Sequence, residues 1–181
     1  MFVETPLSGA WLITPDRISD DRGFFARSFC TKEFLAQGIV DTWVQCNISY
    51  NAKRGTLRGL HFAGPPSRES KLVRCTAGAV WDVIVDIRRG SPTFGRWFAA
   101  DLTAENRHAL YVPVGFAHGF QSLEDGSEVY YQMGDFYDPA TSRGLRFDDP
   151  AIGIPWPLPC TALSAADLSH PCLHDLVACP S

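Results

Sequence analysis

The feature that most constrains the fold of this chain is a series of short period-two segments, each followed by turn-forming residues. The clearest of these segments are Lys71–Cys75, Val80–Arg88, Leu110–Val112 and Glu128–Met133. They are rich in β-branched and aromatic residues, and stretches of Gly, Pro, Asp and Ser separate them. Strands at this spacing, with little helix between them, predict an all-β antiparallel sandwich or barrel. The whole chain, residues 1–181, is expected to form one domain.

Helical signals are few. Thr31 is a candidate N-cap for a helix over residues 32–37, which Gly38 would end. Ser164 is a candidate N-cap for a short turn that runs through Asp167.

Charge and composition exclude several classes of protein. The formal net charge of -4 gives no overall attraction to nucleic acid or acidic membranes, so neither is expected as a partner. No run approaches the roughly 18 apolar residues of a membrane-spanning helix, and the first residues do not resemble a secretory signal. The six cysteines form no CxxC pair, so reduced thiols in a cytoplasmic protein are expected.

The first chemical signal is the segment Arg58-Gly59-Leu60-His61-Phe62. On a regular strand Arg58 and His61 point to opposite faces. Gly59 can supply a bulge, or a close backbone approach, that turns both side chains toward one pocket. A neutral imidazole is a natural base at neutral pH. A histidine that merely satisfies a backbone carbonyl is the alternative.

Lys71 begins a predicted strand and shares its face with Val73 and Cys75, which are expected to point inward. A lysine on an apolar face is unusual unless it is paired or functional. It can hold the oxygen of an enolate, because a fixed positive charge in a dry pocket stabilises developing negative charge. A strand-end lysine that reaches out to water is the alternative.

Further candidates lie on the later strands. His118 follows a tight turn and stands between two phenylalanines of its own face, so a site histidine and a core histidine are both possible. Asp82 lies on a predicted strand where it can orient a histidine. Tyr130 and Tyr131 point to opposite faces, so one is expected inside, where a phenol either donates a proton or packs with one hydrogen bond.

These motifs together resemble the dTDP-4-dehydrorhamnose 3,5-epimerases, nucleotide-sugar epimerases of the cupin superfamily. The resemblance runs from about Leu7 to Asp167. The segments that carry it include Asp21–Phe25, Gln45–Asn47, Leu57–Phe62, Lys71–Arg74, Asp82–Arg88, Gly90–Gly95, Pro113–Phe120 and Asp149–Pro157. It implies a cupin-type jelly-roll barrel that acts as a homodimer on a nucleotide-sugar substrate and needs neither a metal nor an organic cofactor.

The resemblance also implies roles for particular residues. His61 matches the catalytic base and Asp167 its partner, Lys71 matches the lysine that stabilises the enolate, and Tyr131 matches the acid that reprotonates from the opposite face. The substrate-binding positions that it implies are Arg22, Gln45, Asn47, Arg58, His118, Asp82 and Tyr137, the last of these stacking on the nucleobase. Inversion of C3 and C5 of a dTDP-4-keto-6-deoxyhexose, on the route to dTDP-L-rhamnose, is the expected reaction.

Five positions depart from the family pattern, and all are expected in the binding shell. They are Arg27, Cys46, Ala63, Ser142 and Ala166. Three of them, Arg27, Ser142 and Ala166, suggest a variant of this hypothesis, in which one carbon alone is inverted or another nucleotide-linked sugar is used. Two other classes stay open: a metal-dependent cupin with His61 and His118 as ligands, for which the ligand count is short, and a sugar-binding module without catalysis.

Overall fold

The computed structural model describes residues 1–40 and 42–178. Its elements, in chain order, are β1 (Phe2–Glu4), β2 (Trp11–Ile13), β3 (Arg17–Asp20), β4 (Gly23–Ala26), α1 (Thr31–Ala36), β5 (Gln45–Asn51), β6 (Leu57–Ala63), β7 (Lys71–Ala77), β8 (Ala79–Asp86), β9 (Trp97–Thr103), β10 (Ala109–Val112), β11 (Phe116–Ser122), β12 (Ser127–Met133), β13 (Ser142–Gly144), α2 (Ala165–Ser169) and α3 (Leu173–Ala178). No helix within these described ranges is long and apolar enough to cross a lipid bilayer.

Two antiparallel sheets form the body of the molecule. The six-stranded sheet has the order β1-β2-β10-β7-β12-β5, and the five-stranded sheet has the order β13-β6-β11-β8-β9. Their inner faces pack together through apolar side chains: Val73, Leu110 and Val129 come from the first sheet, and Val80 and Ile84 from the second. The predicted antiparallel sandwich or barrel is therefore confirmed, with its core between the two sheets.

The outer faces of the two sheets are covered by different parts of the chain. Phe34 of α1 packs with Ile13 and Tyr111 on the six-stranded sheet. On the five-stranded sheet, Leu145 and Leu173 of the C-terminal segment pack against the strands. This segment carries α2, so its packing brings Asp167 over β6.

The four predicted strands are all present, and each matches its predicted segment to within two residues. One end differs: the strand predicted over Val80–Arg88 stops at Asp86, whose carboxylate accepts hydrogen bonds from the Arg88 backbone and guanidinium. Such a side-chain contact to nearby backbone offers the chain an alternative to the sheet ladder.

One of the two helix caps is confirmed and the other is wrong. Ser164 caps α2, because its Oγ accepts a hydrogen bond from the Asp167 backbone N–H at 3.0 Å. Thr31 is instead the first residue of α1, and the N-cap is Cys30, which makes no side-chain capping bond. The α1 helix ends at Ala36, one residue before the predicted end.

Candidate active site

A bulge in β6 turns two candidate side chains toward the same space. Gly59 has φ +116°, and the pairing of β6 with β11 shifts between His118 and Phe120. A Cβ on Gly59 would lie 2.7 Å from Gly119 Cα, so only glycine fits this close approach of two strands. Arg58 and His61 line one cavity as a result. The bulge predicted from the sequence is confirmed.

His61 is held by a buried carboxylate. Its Nε2 lies 2.6 Å from Asp167 Oδ1, across 106 residues of sequence, and Asp167 is only 4% exposed. Because an ionised carboxylate only accepts hydrogen bonds, Nε2 carries the proton and Nδ1 holds the lone pair that can accept another. Desolvation lowers the pKa of His61, against the opposing effect of Asp167, so the imidazole is neutral at neutral pH.

Tyr131 and Lys71 project from the opposite sheet. Tyr131 lies on β12 and Lys71 on the neighbouring strand β7, where Lys71 pairs in register with Met133. Because Met133 is two residues from Tyr131, the two side chains lie on the same face. Burial, followed by the nearby charge of Glu69, raises the pKa of the Tyr131 phenol, which therefore keeps its proton at neutral pH.

The lysine is buried beside an acid. Lys71 is 8% exposed, and its ammonium forms an ion pair with Glu69 in which both side chains are 10% exposed. Lys71 therefore points inward, as its parity predicted, and does not reach out to water. Glu69 was not predicted as a site residue, although its parity with Lys71 places both on one side of the chain.

The two walls enclose a continuous cleft. Its inner part, about 150 Å³, is lined by Ser49, Arg58, His61, Lys71, His118, Gly119, Phe120 and Tyr131. Its outer part, about 320 Å³, also touches His61, Lys71 and Tyr131 and extends to Asn47, Ala63, Tyr137 and Ser142. We call these the inner cleft and the outer cleft. The His61 imidazole on one sheet and the Tyr131 phenol on the other therefore line the same space.

His118 is fixed from behind by Asp82. His118 is 7% exposed and Asp82 is fully buried, and His118 Nε2 lies 3.0 Å from both carboxylate oxygens. His118 also borders the inner cleft. The structure therefore brings His118 to the cleft but leaves Asp82 beneath it. Asp82 therefore orients a histidine, as its strand position predicted, but it does not line the cleft as the implied substrate-binding role would require.

The remaining substrate-binding candidates divide into those at the cleft and one far from it. Asn47 and Tyr137 line the outer cleft, and Gln45 Oε1 accepts a hydrogen bond from the Tyr137 backbone at 3.2 Å. Arg58 is anchored by its Nε to Asn51 Oδ1 at 2.8 Å. Arg22 lies on the exposed β3–β4 hairpin, paired with Asp20 and 90% exposed in its side chain. This chain does not bring Arg22 to the cleft.

The five departures from the family pattern fall into two groups, one at the outer cleft and one away from it. Ala63 and Ser142 line the outer cleft and are cross-strand partners. Arg27 instead pairs with Glu33 beside α1, Cys46 is exposed on the other face of β5, and Ala166 is exposed on α2. The expectation that all five belong to the binding shell is therefore wrong for these last three within this chain.

The metal-dependent alternative required His61 and His118 to act as a pair. They are cross-strand neighbours, but Asp82 engages His118 Nε2 from behind and Asp167 engages His61 Nε2. The cluster of potential donor atoms that the described residues do bring together is His61, Asp167 and His170, without His118. Among the described residues, no third His, Cys, Asp or Glu side chain joins His61 and His118 in such a cluster. His170 is a second residue that was not predicted.

Comparison with known proteins identifies the family. A sequence model described as dTDP-4-dehydrorhamnose 3,5-epimerase matches residues 4–175. The chain is 47% identical to the dTDP-4-dehydrorhamnose 3,5-epimerase of Sinorhizobium fredii over 166 residues, which cover 91% of this chain and 85% of that protein.

Solved structures agree. The dTDP-6-deoxy-D-glucose-3,5-epimerase of Legionella pneumophila, in complex with dTDP-4-keto-L-rhamnose, matches with a TM-score of 0.90 at 38% identity, covering 96% of this chain and 93% of that one. The 3'-monoepimerase ChmJ of Streptomyces bikiniensis, in complex with dTDP-quinovose, matches with a TM-score of 0.88 at 34% identity, covering 96% and 88%. The predicted cupin-type jelly roll is confirmed, and this chain belongs to the dTDP-4-dehydrorhamnose 3,5-epimerase family.

Proposed function

We propose that this chain inverts C3 and C5 of a dTDP-4-keto-6-deoxyhexose, on the route to dTDP-L-rhamnose. The observation that carries the proposal is the placement of His61 and Tyr131 on facing sheets, on either side of one cleft. Inversion of a carbon needs a proton removed from one face and returned to the other. A base and an acid on the same wall could not perform it.

The mechanism follows from the acidity of carbons next to a ketone. His61 Nδ1 takes the proton from C3 or C5, and the C–H electron pair moves into the ring to form an enolate whose oxygen lies beside Lys71. Tyr131 then donates its phenolic proton to the opposite face, and the enolate returns to the ketone with the carbon inverted. Exchange with water restores neutral His61 and protonated Tyr131 before the second inversion.

Asp167 completes the base. In this proposal it holds the imidazole in the tautomer that leaves Nδ1 free, and it stabilises the imidazolium that forms when the sugar proton arrives. His118, Arg58 and Asn47 contact the sugar and its phosphates, with Asp82 fixing His118. Gln45 positions Tyr137, which stacks on the nucleobase at the outer end of the cleft.

In this proposal Arg22 reaches the cleft of a second copy of the chain and not its own. Its hairpin exposes three large apolar side chains: Ile18 is 70%, Phe25 69% and Phe24 44% exposed. Such a patch on one small hairpin is suited to an interface. We propose a homodimer in which this hairpin packs on the partner and carries Arg22 toward the partner's cleft.

We also propose that the enzyme works in the cytoplasm. The cysteines with described side chains are free: Cys30, Cys46, Cys75, Cys160 and Cys172. Unpaired cysteines in this number fit a reducing compartment.

Proton exchange with solvent tests the reaction. Incubation of the protein with dTDP-4-keto-6-deoxyglucose in deuterated water should place deuterium at C3 and at C5, with formation of dTDP-4-keto-L-rhamnose. The absence of deuterium at both carbons would refute the proposal, and unchanged substrate that stays tightly bound would select the sugar-binding module instead.

A second outcome of the same experiment is a single inversion. The similarity to the 3'-monoepimerase ChmJ, together with Ala63 and Ser142 in the outer cleft, favours this as the alternative. Deuterium at C3 alone, with no L-rhamno product, would assign the chain to it. Both outcomes use the same base, enolate and acid, and they differ in how the sugar is presented to them.

A further inference from the structure

His170 is a second histidine at the carboxylate that holds His61. Its Nε2 lies 3.6 Å from Asp167 Oδ1, the same oxygen that contacts His61 Nε2 at 2.6 Å. The two imidazole rings meet edge to face, with centroids 5.9 Å apart at 82°. The His170 side chain is 22% exposed, whereas that of His61 is 48% exposed.

A glycine makes room for this ring. Gly144 of β13 is the cross-strand partner of His61, and a Cβ on Gly144 would lie 2.2 Å from His170 Nε2 and 2.3 Å from its Cδ2. The backbone of Gly144 does not adopt a positive φ, so its conformation does not require glycine. The missing side chain instead creates the space that the His170 imidazole fills.

The charges around His170 are few and can be named. Asp167 and His61 face it from α2 and β6. From the segment after β13, Arg146 donates to Leu168 O at 3.0 Å and its backbone donates to Pro171 O at 2.9 Å. That guanidinium is neutralised by Asp148. The charge of His118, on β11, also lowers the pKa of His61. The buried Asp167 carboxylate therefore lies beside two imidazoles, those of His61 and His170.

We propose that His170 is a positioning residue for the base: it packs beside the Asp167 oxygen that contacts His61 and competes with His61 for the negative charge of that carboxylate. This inference rests on the proposed role of His61 and Asp167 and adds a third member to that pair. At 3.6 Å the contact is too long for a hydrogen bond, so His170 acts through packing and charge.

The direction of the effect is fixed by electrostatics. Desolvation is the first cause that lowers the pKa of His61, and the charge of His170 acts in the same direction, because it disfavours a second positive charge on His61. Removing the His170 charge therefore raises the pKa of His61. The base is then protonated at a higher pH, and the acid limb of the kcat/KM profile moves upward.

Two substitutions separate charge from shape. His170→Gln keeps a polar group near Asp167 without titration, and His170→Phe keeps a flat ring over Gly144. We expect both to shift the acid limb upward by about a few tenths of a pH unit, and His170→Gln, which loses the ring, also to lower kcat a few-fold. His108→Gln removes a histidine outside the cleft and serves as the control, with no expected shift. Acid limbs of both variants that superimpose on the parent would overturn the proposal.

Gly144→Ala tests the same contact from the other side. The added methyl group occupies the position of the His170 ring, so the ring must leave Asp167 and the acid limb should shift as in His170→Gln. In a His170→Ala background the methyl group has free space, so adding Gly144→Ala there should change the profile no further. An equal shift in both backgrounds would show that residue 144 acts on His61 directly, against the proposal.

An NMR titration of the His61 ring in the free protein keeps this inference separate from the reaction. The His61 midpoint should rise in His170→Gln and stay unchanged in His108→Gln, whether or not any sugar is turned over. An unchanged midpoint in His170→Gln would refute the role of His170 even if the parent enzyme is fully active. A raised midpoint in a protein that exchanges no deuterium would refute the proposed function alone.

Discussion

The inner and outer halves of the cleft are built on different principles. Three basic groups at the inner cleft each have an acidic neighbour: His61 has Asp167, Lys71 has Glu69 and His118 has Asp82. In the outer cleft Tyr137 is 60% exposed, and two departures from the family pattern, Ala63 and Ser142, face each other. The inner cleft therefore sets each basic group beside a buried or nearly buried acid, whereas the outer cleft, where we propose that the nucleotide binds, includes exposed side chains such as Tyr137.

The largest expected effect is at the base. His61→Asn retains an N–H near Asp167 but has no titrating nitrogen. Deuterium incorporation should fall by about 10²–10⁴-fold, the usual contribution of a positioned base, while dTDP binding measured by calorimetry changes little. Exchange at more than a tenth of the parent rate would remove His61 from the role of base.

Tyr131→Phe should distinguish the role of the proton donor from that of the base. Loss of the phenol removes the proton donor on one face and leaves His61 on the other. Product formation should fall by about 10²–10³-fold, whereas deuterium exchange at the unchanged configuration should fall less, because His61 can return a proton to the face it came from. Equal losses of exchange and inversion would place Tyr131 in the first proton removal instead.

The pH profile of kcat/KM depends on both His61 and Tyr131. The lowered pKa of His61 keeps the base neutral below its ordinary value of about 6.5, so kcat/KM should begin to fall only below that pH. The raised pKa of Tyr131 keeps the acid protonated beyond about pH 10, which places the alkaline limb above it. Each limb should fall about tenfold per pH unit, and Tyr131→Phe should abolish the alkaline limb only. An acid limb centred above pH 7 would contradict the desolvated base.

Glu69→Gln should have a smaller effect. The Glu69 charge contributes to the raised pKa of Tyr131, so removing it should move the alkaline limb to lower pH, with kcat changed by less than about tenfold. Glu69→Asp keeps the charge and is the matched control. A larger loss in Glu69→Gln with no shift of the limb would mean that Glu69 mainly positions Lys71.

The sequence predicted what depends on neighbours along the chain. Alternation placed Lys71 inside and put Tyr130 and Tyr131 on opposite faces, and the glycine in β6 predicted the bulge. It could not place contacts that join distant segments by packing: Asp167 reaches His61 across 106 residues and was found only through the family resemblance. His170 and Gly144 meet only because the C-terminal segment folds over β13, so no local pattern marks them.

The smallest expected effect lies in the outer cleft. Ala63→Gln adds an amide beside Ser142 at the end where the nucleotide is proposed to bind. One added hydrogen bond is worth about 0.5–1.5 kcal/mol, so KM should change by about two- to tenfold while kcat stays within about twofold. Cys46→Asp changes another departure, on the exposed face of β5, and should leave both constants unchanged. If Ala63→Gln lowered kcat as strongly as KM changed, the outer cleft would also be setting the position of the reacting carbons, and the division between the two halves would fail.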